Sequence, residues 1–210
     1  MKKSTPALTI FLLLVALLNL STGEVRLLSE TPTSVQFELL TEAANLTADQ
    51  TSITLPDAER LALPGEPDLP GKIVFIGLPQ KGTAQLQVAF SETEEKTNVE
   101  ILPAPALDEK PVPPGAMFRK DEFWPPAPAE LLSVETIRGI RVARVRLNPV
   151  RYNPVRKKAL IYRRLNCRLS FSIPPEDNPQ PDLLDPVLTR LLINGKAAVR
   201  WKSFGPAKDS

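Results

Sequence analysis

Cys167 is the only thiol in this 210-residue chain, and there is no histidine to activate it. A cysteine nucleophile needs a base within hydrogen-bond reach to react as thiolate near neutral pH, and imidazole is the usual one. The same absence excludes a Ser-His-Asp triad, a Cys-His dyad and any imidazole-ligated metal. One cysteine leaves no internal disulfide and no Cys-x-x-Cys metal or redox motif. The nine glycines show neither phosphate-loop nor dinucleotide-binding spacing. A glycosidase-like carboxylate pair would not need histidine, but the 24 acids are scattered with no placement that pairs two of them. The inventory therefore expects no catalytic residue, no metal site and no cofactor.

The first residues address the chain. Lys2 and Lys3 precede an apolar run from Ala7 to Leu18, and Ser21-Thr22-Gly23 follows. That is the pattern of a signal peptide cut before Glu24, and the run is short for a membrane span of roughly 20 residues. The expectation is export to a secreted, cell-surface or periplasmic location, with no stable membrane span after cleavage. Both charges in residues 1–23 are lysines, so the formal +2 of the whole chain falls to zero once they are removed.

The remaining chain reads mostly with period two. Val35, Phe37 and Leu39 alternate with Gln36 and Glu38, as in a half-buried strand. Ile73–Leu78 and Ala84–Phe90, joined through Gln80-Lys81-Gly82, read as a hairpin, and Asn98–Leu102 as a weaker strand. Eight prolines between Pro103 and Pro128 rule out a sheet interior. Phe118, Phe123 and Trp124 supply apolar anchors, so this segment is expected to be a packed arm. Leu131–Ile137 and Ile140–Leu147 are strands turning at Arg138-Gly139, and a parity change near Ala143 suggests a β-bulge. In the longest alternation, Ala159, Ile161, Leu165, Cys167, Leu169, Phe171 and Ile173 share a face that only Arg163 breaks, so Cys167 reads as a small buried hydrophobe. After a linker at Pro174–Pro181, Asp185 reads as N-cap and Pro186 as the first residue of a short helix stopping at Asn194-Gly195. The fold class is all-β, an antiparallel β-sandwich with a long Pro-rich arm and a short C-terminal helix. The expected organisation is a signal peptide at 1–23, the sandwich at 24–174, and a linker, helix and tail at 175–210.

Charge is segregated. Residues 138–168 hold eleven Arg and Lys and no acid, whereas residues 24–137 hold eight basic and nineteen acidic groups. Three explanations compete: neutralisation by acidic loops of the same domain, docking to an acidic protein surface, or binding to an acidic polymer. The docking face would comprise Arg141, Arg144, Arg146, Arg151, Arg164 and Arg168. Nucleic acid is disfavoured, because only Tyr152 and Tyr162 accompany the basic residues.

Gly65-Glu66-Pro67-Asp68-Leu69-Pro70, Ile73-Val74-Phe75-Ile76-Gly77-Leu78-Pro79 and Gln85-Leu86-Gln87-Val88 resemble the propeptide domain of the gingipain-type cysteine peptidases. So does Arg141–Leu147 continued by Asn148-Pro149-Val150-Arg151-Tyr152-Asn153-Pro154 and the long strand after it. The resemblance covers residues 60–175. It implies a secreted β-sandwich preceding a caspase-like catalytic domain, which it helps to fold and keeps covered. The catalytic Cys and His would belong to that following domain, and Cys167 cannot be carried over as the nucleophile. The partner implied is that domain, in cis or in trans, and the chain would be a truncated precursor or a stand-alone prodomain. Phe118-Arg119-Lys120-Asp121, held between prolines and aromatics, makes Arg119 and Lys120 the candidates to occupy a partner's specificity pocket. The alternative is an exported β-sandwich that uses its basic face on acidic surface polymers.

Overall fold

The computed structural model describes residues 24–41 and 44–203. The expected signal peptide lies outside the described residues. Eleven strands are present among those described: β1 (Val25–Thr31), β2 (Ser34–Leu40), β3 (Asn45–Leu46), β4 (Ile53–Thr54), β5 (Glu59–Arg60), β6 (Pro70–Leu78), β7 (Ala84–Thr97), β8 (Ala129–Ile137), β9 (Ile140–Leu147), β10 (Val150–Asn153) and β11 (Lys158–Phe171). Two short helices follow, α1 (Asp185–Leu191) and α2 (Gly195–Ala198). All strand pairings are antiparallel, in two main sheets, so the expected all-β architecture is what forms.

β11 organises the first sheet because its long alternation leaves one apolar face for two neighbours at once. β7 pairs along its whole length on one side, while β10 and β2 share the other. The register sets Phe37, Cys167 and Val88 side by side, with Val35, Leu169 and Leu86 in the next row. Across from them β6 and β9 contribute Val74, Ile76, Leu78, Ala143, Val145 and Leu147, which join the same core cluster. Each fully buried aliphatic side chain of this kind contributes about 1.5–3 kcal/mol. Arg163 breaks the apolar row where the neighbouring strand changes from β10 to β2. Its backbone carbonyl accepts Thr41 N–H, and its guanidinium donates to the carbonyls of Thr41 and Ala44, both at 3.0 Å, and pairs with Glu94.

Several local expectations are corrected. Ile73–Leu78 and Ala84–Phe90 do not form a hairpin: β6 pairs with β9 and β7 with β11, so the chain crosses from one sheet to the other through Pro79–Thr83. Arg141 holds this corner by donating to the carbonyls of Pro79 (2.9 Å) and Gly82 (3.1 Å). Asn98–Leu102 is not a strand. Asn98 turns at φ +60°, after which Val99 and Ile101 insert into a second apolar cluster with Tyr152, Ala159 and Ile161. The Arg138-Gly139 turn is present, both residues at positive φ, as two-residue hairpins require.

The bulge expected near Ala143 is not in β9, which runs in unbroken register against β6. The irregularity lies in β8, where Leu131 pairs with Val145 and Ser133 with Arg144, leaving Leu132 extra. Val142 and Ala143 are both buried because both faces of β9 are covered at that point. Ala143 faces the opposite sheet. Val142 shares its face with Gly77, against which the C-terminal segment packs: a Cβ on Gly77 would lie 2.1 Å from that of Ala198.

That segment is held closely. Asn194 accepts the Gly77 N–H at 2.8 Å and donates to the Gly77 carbonyl at 3.0 Å. Leu188, Leu192, Ala198 and Trp201 join the main core cluster, and the Trp201 ring meets Phe171 edge-on at 6.4 Å. The N-cap also differs from expectation. Leu184 occupies it, with Asp185 and Pro186 inside the first turn, because the Asp185 carboxylate is committed to Asp182 N–H and to the buried ammonium of Lys202.

Candidate functional site

The Pro-rich arm is a packed, irregular segment with one 3₁₀ turn at Ala116–Arg119. Its receptor is β10, read residue by residue from Val150-Arg151-Tyr152-Asn153. Val150 and Tyr152 turn into the second apolar cluster. Trp124 and Tyr152 exchange backbone hydrogen bonds of 2.8 and 2.7 Å, so the arm extends the sheet beyond β10. Arg151 donates to the carbonyls of Pro125 (2.7 Å), Pro126 (2.8 Å) and Phe123 (3.4 Å), and its guanidinium lies 5.7 Å from the Phe123 ring centre. Prolines lack an N–H but keep their carbonyls, so an arginine fork suits this chain segment.

A second clamp sits two residues before Phe123 on the arm. Asp121 accepts from Asn153 at 2.8 Å and from Arg156 at 2.6 and 3.0 Å. The Arg156 and Asn153 hydrogen bonds hold its carboxyl below the usual aspartate range. On the other side Phe118 packs against the second apolar cluster. Arg119 and Lys120 therefore stand exposed between two fixed neighbours, Phe118 and Asp121. The positioning residues Arg151, Asn153, Arg156 and Asp121 are what sequence reasoning missed as parts of this site. The Pro-Val-Arg-Tyr-Asn-Pro motif was their visible signal.

The six arginines of the expected docking face are not brought together. Arg141 braces the corner at Pro79–Thr83 and Arg146 donates to Asn148 at 2.9 Å, while Arg151 clamps the arm. Arg164 pairs with Glu38 at 3.0 Å. Arg144 is on β9 and Arg168 on β11, in different sheets, and neither has an ion-pair or hydrogen-bond partner among the described residues. Other basic residues of the segment are likewise engaged: Arg138 with Asp182, Arg156 with Asp121, Lys157 with Glu100, Lys158 with Glu95 and Arg163 with Glu94. The opposed charges of the sequence thus meet largely inside the domain.

Cys167 is 3% exposed between Phe37 and Val88, and burial pushes its thiol up to about 12. A thiol so protonated and enclosed is a poor nucleophile. In the native protein at pH 8, it is expected to resist an aromatic disulfide reagent for hours and to react within seconds in denaturant. Rapid native labelling would show that the sheet opens there. Among the described residues no group of three or more His, Cys, Asp or Glu side chains is arranged to hold a metal ion. No helix among them is long and apolar enough to cross a membrane.

No curated protein sequence gives a significant match. Among solved structures, the complex of Porphyromonas gingivalis RgpB pro- and mature domains is similar with a TM-score of 0.71 and 23% identity, covering 82% of this chain and 97% of that one. A structure described as giving insight into zymogenic latency of gingipain K from Porphyromonas gingivalis is similar with a TM-score of 0.59 and 19% identity, covering 74% and 96%. At these identities the likeness concerns the fold. The sequence profile of one family, Propeptide_C25, matches residues 21–198. That span takes in both sheets, the arm and the helical segment, and this chain belongs to the Propeptide_C25 family.

Proposed function

We propose that this chain is the non-catalytic prodomain of a secreted gingipain-type cysteine endopeptidase, acting as inhibitor and folding assistant of a caspase-like catalytic domain in cis or in trans. The observation that carries this reading is the family match over residues 21–198, which takes in both sheets, the arm and both helices of the folded unit. It is consistent with the solved relatives, one of which is a prodomain bound to a mature domain. Residues 1–23 serve as the signal for export, and the described residues hold no histidine with which to build a catalytic dyad.

Inhibition would be delivered by Arg119 or Lys120. A basic side chain on a loop already fixed by Phe118 and Asp121 enters a specificity pocket with little ordering cost. The polymer-binding alternative gains no support from the geometry, because most of the basic segment is neutralised internally.

The test mixes the purified protein with a gingipain-type peptidase and compares it with Arg119→Ala, Lys120→Ala and the double variant. One of the two single variants is expected to weaken inhibition about 10- to 100-fold, the range of a buried anchor residue. Undiminished inhibition by the double variant would remove the loop from the mechanism. Failure of the unaltered protein either to inhibit the peptidase or to assist its refolding would overturn the prodomain reading itself.

A further inference from the structure

On the outer face of the five-stranded sheet, Arg168 of β11 sits between two glutamines in direct register, Gln36 on β2 and Gln87 on β7. The three side chains, with Asn166, Ala89 and Leu28, line a groove of about 340 Å³. Its shape follows from two local features. Ala89 leaves open the position beside Asn166. On the far side β1 shifts register between Leu27 and Ser29, which sets Leu28 out of the ladder with half its surface exposed.

The charge environment changes along the same face. Four residues earlier on β11, Arg164 holds the Glu38 carboxylate at 3.0 Å and has Glu92 at 3.8 Å. At Arg168 the cross-strand neighbours are the neutral glutamines instead. Its guanidinium therefore has no acidic partner, and the side-chain amides of Gln36, Gln87 and Asn166 have no hydrogen-bond partner among the described residues. One cation and three amides converge on a groove with a leucine at its rim. An arginine fork is built to take a planar carboxylate, and the amide N–H groups add donors at its sides. Because Arg164 already satisfies Glu38, the fold itself contributes no carboxylate to this position.

We propose that this cradle receives an Asp or Glu side chain of the catalytic domain, so that the outer face of the five-stranded sheet is a docking surface separate from Arg119 and Lys120. The proposal rests on the prodomain reading for its partner, and on the cradle alone for its chemistry. Leu28 at the rim gives the incoming polypeptide an apolar contact beside the ion pair, and the three amides fix the orientation of the carboxylate.

Two measurements test it. In the first, association with a gingipain-type catalytic domain is followed for the unaltered protein, Arg168→Gln and Arg144→Gln. The second variant removes the other unpartnered arginine and serves as control. Arg168→Gln is expected to weaken association about 10- to 150-fold, the range for a hydrogen bond to a charged group, and Arg144→Gln less than about 2-fold. Both variants should keep the melting temperature of the parent, since both residues are exposed. Equal effects of the two variants would overturn the docking assignment while leaving the prodomain reading intact. In the second measurement, a blocked glutamate tripeptide is titrated into nitrogen-15-labelled protein. Saturable shifts are expected at Arg168 Nε and at the Gln36 and Gln87 amides, and their absence with the glutamine tripeptide. Absence of those shifts with glutamate would overturn the cradle. If the shifts appear but no form associates with the peptidase, the prodomain reading fails and the cradle stands.

Discussion

Replacing Trp201 by alanine is expected to lower the unfolding free energy by about 3–5 kcal/mol, the cost of truncating a large buried aromatic. Domains of this size have only about 5–15 kcal/mol in total, so the loss is a large fraction of the stability. Trp201 is 4% exposed and meets Phe171, the last residue of β11, edge-on. Its backbone also fastens the segment: its N–H donates to Ala198 and its carbonyl accepts from the Gln80 side chain at the inter-sheet corner. Loss of the indole would open a cavity where the C-terminal segment closes one end of the sandwich. Urea unfolding followed by circular dichroism gives the comparison, with Leu183→Ala as control. Leu183 is 97% exposed, and its truncation should change stability by less than about 0.5 kcal/mol. If Trp201→Ala also lies within that range, the segment from Asp185 onward is a loose appendage and not part of the core.

This outcome bears on what composition conveys. Pro174–Pro181 has the makeup of a linker, and from the sequence the residues after it look like a way out of the domain. Leu188, Leu192, Ala198 and Trp201 nevertheless complete the main cluster. Their burial depends on Gly77 and Val142, residues some 50 to 120 positions away, which no local window reveals. The same limit explains the missing hairpin. A short apolar run marks Ile73–Leu78 as a strand and alternation marks Ala84–Phe90, and both are strands, but neither signal says which strand each one pairs with. β11 was plain because period two persists over fourteen residues. β1 was not, because adjacent Leu27 and Leu28 at its register shift disrupt the pattern. For the candidate site, the exposure of Arg119 and Lys120 could be anticipated from neighbouring prolines and aromatics. The roles of Arg151 and Arg164 could not, since a charge count does not distinguish an arginine that binds carbonyls or a buried carboxylate from one that awaits a partner.

Asn194 should be the polar residue to which the fold is most sensitive. It is 1% exposed and satisfies both backbone groups of Gly77, the donor and acceptor that β6 presents beyond the reach of β9. Asn194→Ala would leave a buried N–H and a buried carbonyl without partners, at about 1–3 kcal/mol each, so a loss of about 2–6 kcal/mol is expected in urea unfolding. Asn194→Asp separates the two bonds. An aspartate still accepts from Gly77 N–H, but only its protonated form can donate to the Gly77 carbonyl. Glu30 sharpens the contrast, because partial desolvation raises its pKa while the nearby Asn194 side chain works to lower it. For a carboxyl raised in the folded state, the stabilisation is complete below the unfolded value near 4.5 and is lost as pH rises through the folded value. A second carboxylate at position 194 would add to that loss, since both groups would then be charged in one partly desolvated place. Acids held low by arginines, such as Asp121, tilt stability the other way but do so equally in both proteins. The difference between Asn194→Asp and the parent should therefore be widest near pH 7 and shrink steadily toward pH 4. A difference that stays constant across that range would mean that the Gly77 carbonyl does not need its donor, and that the C-terminal segment is held by its apolar contacts alone.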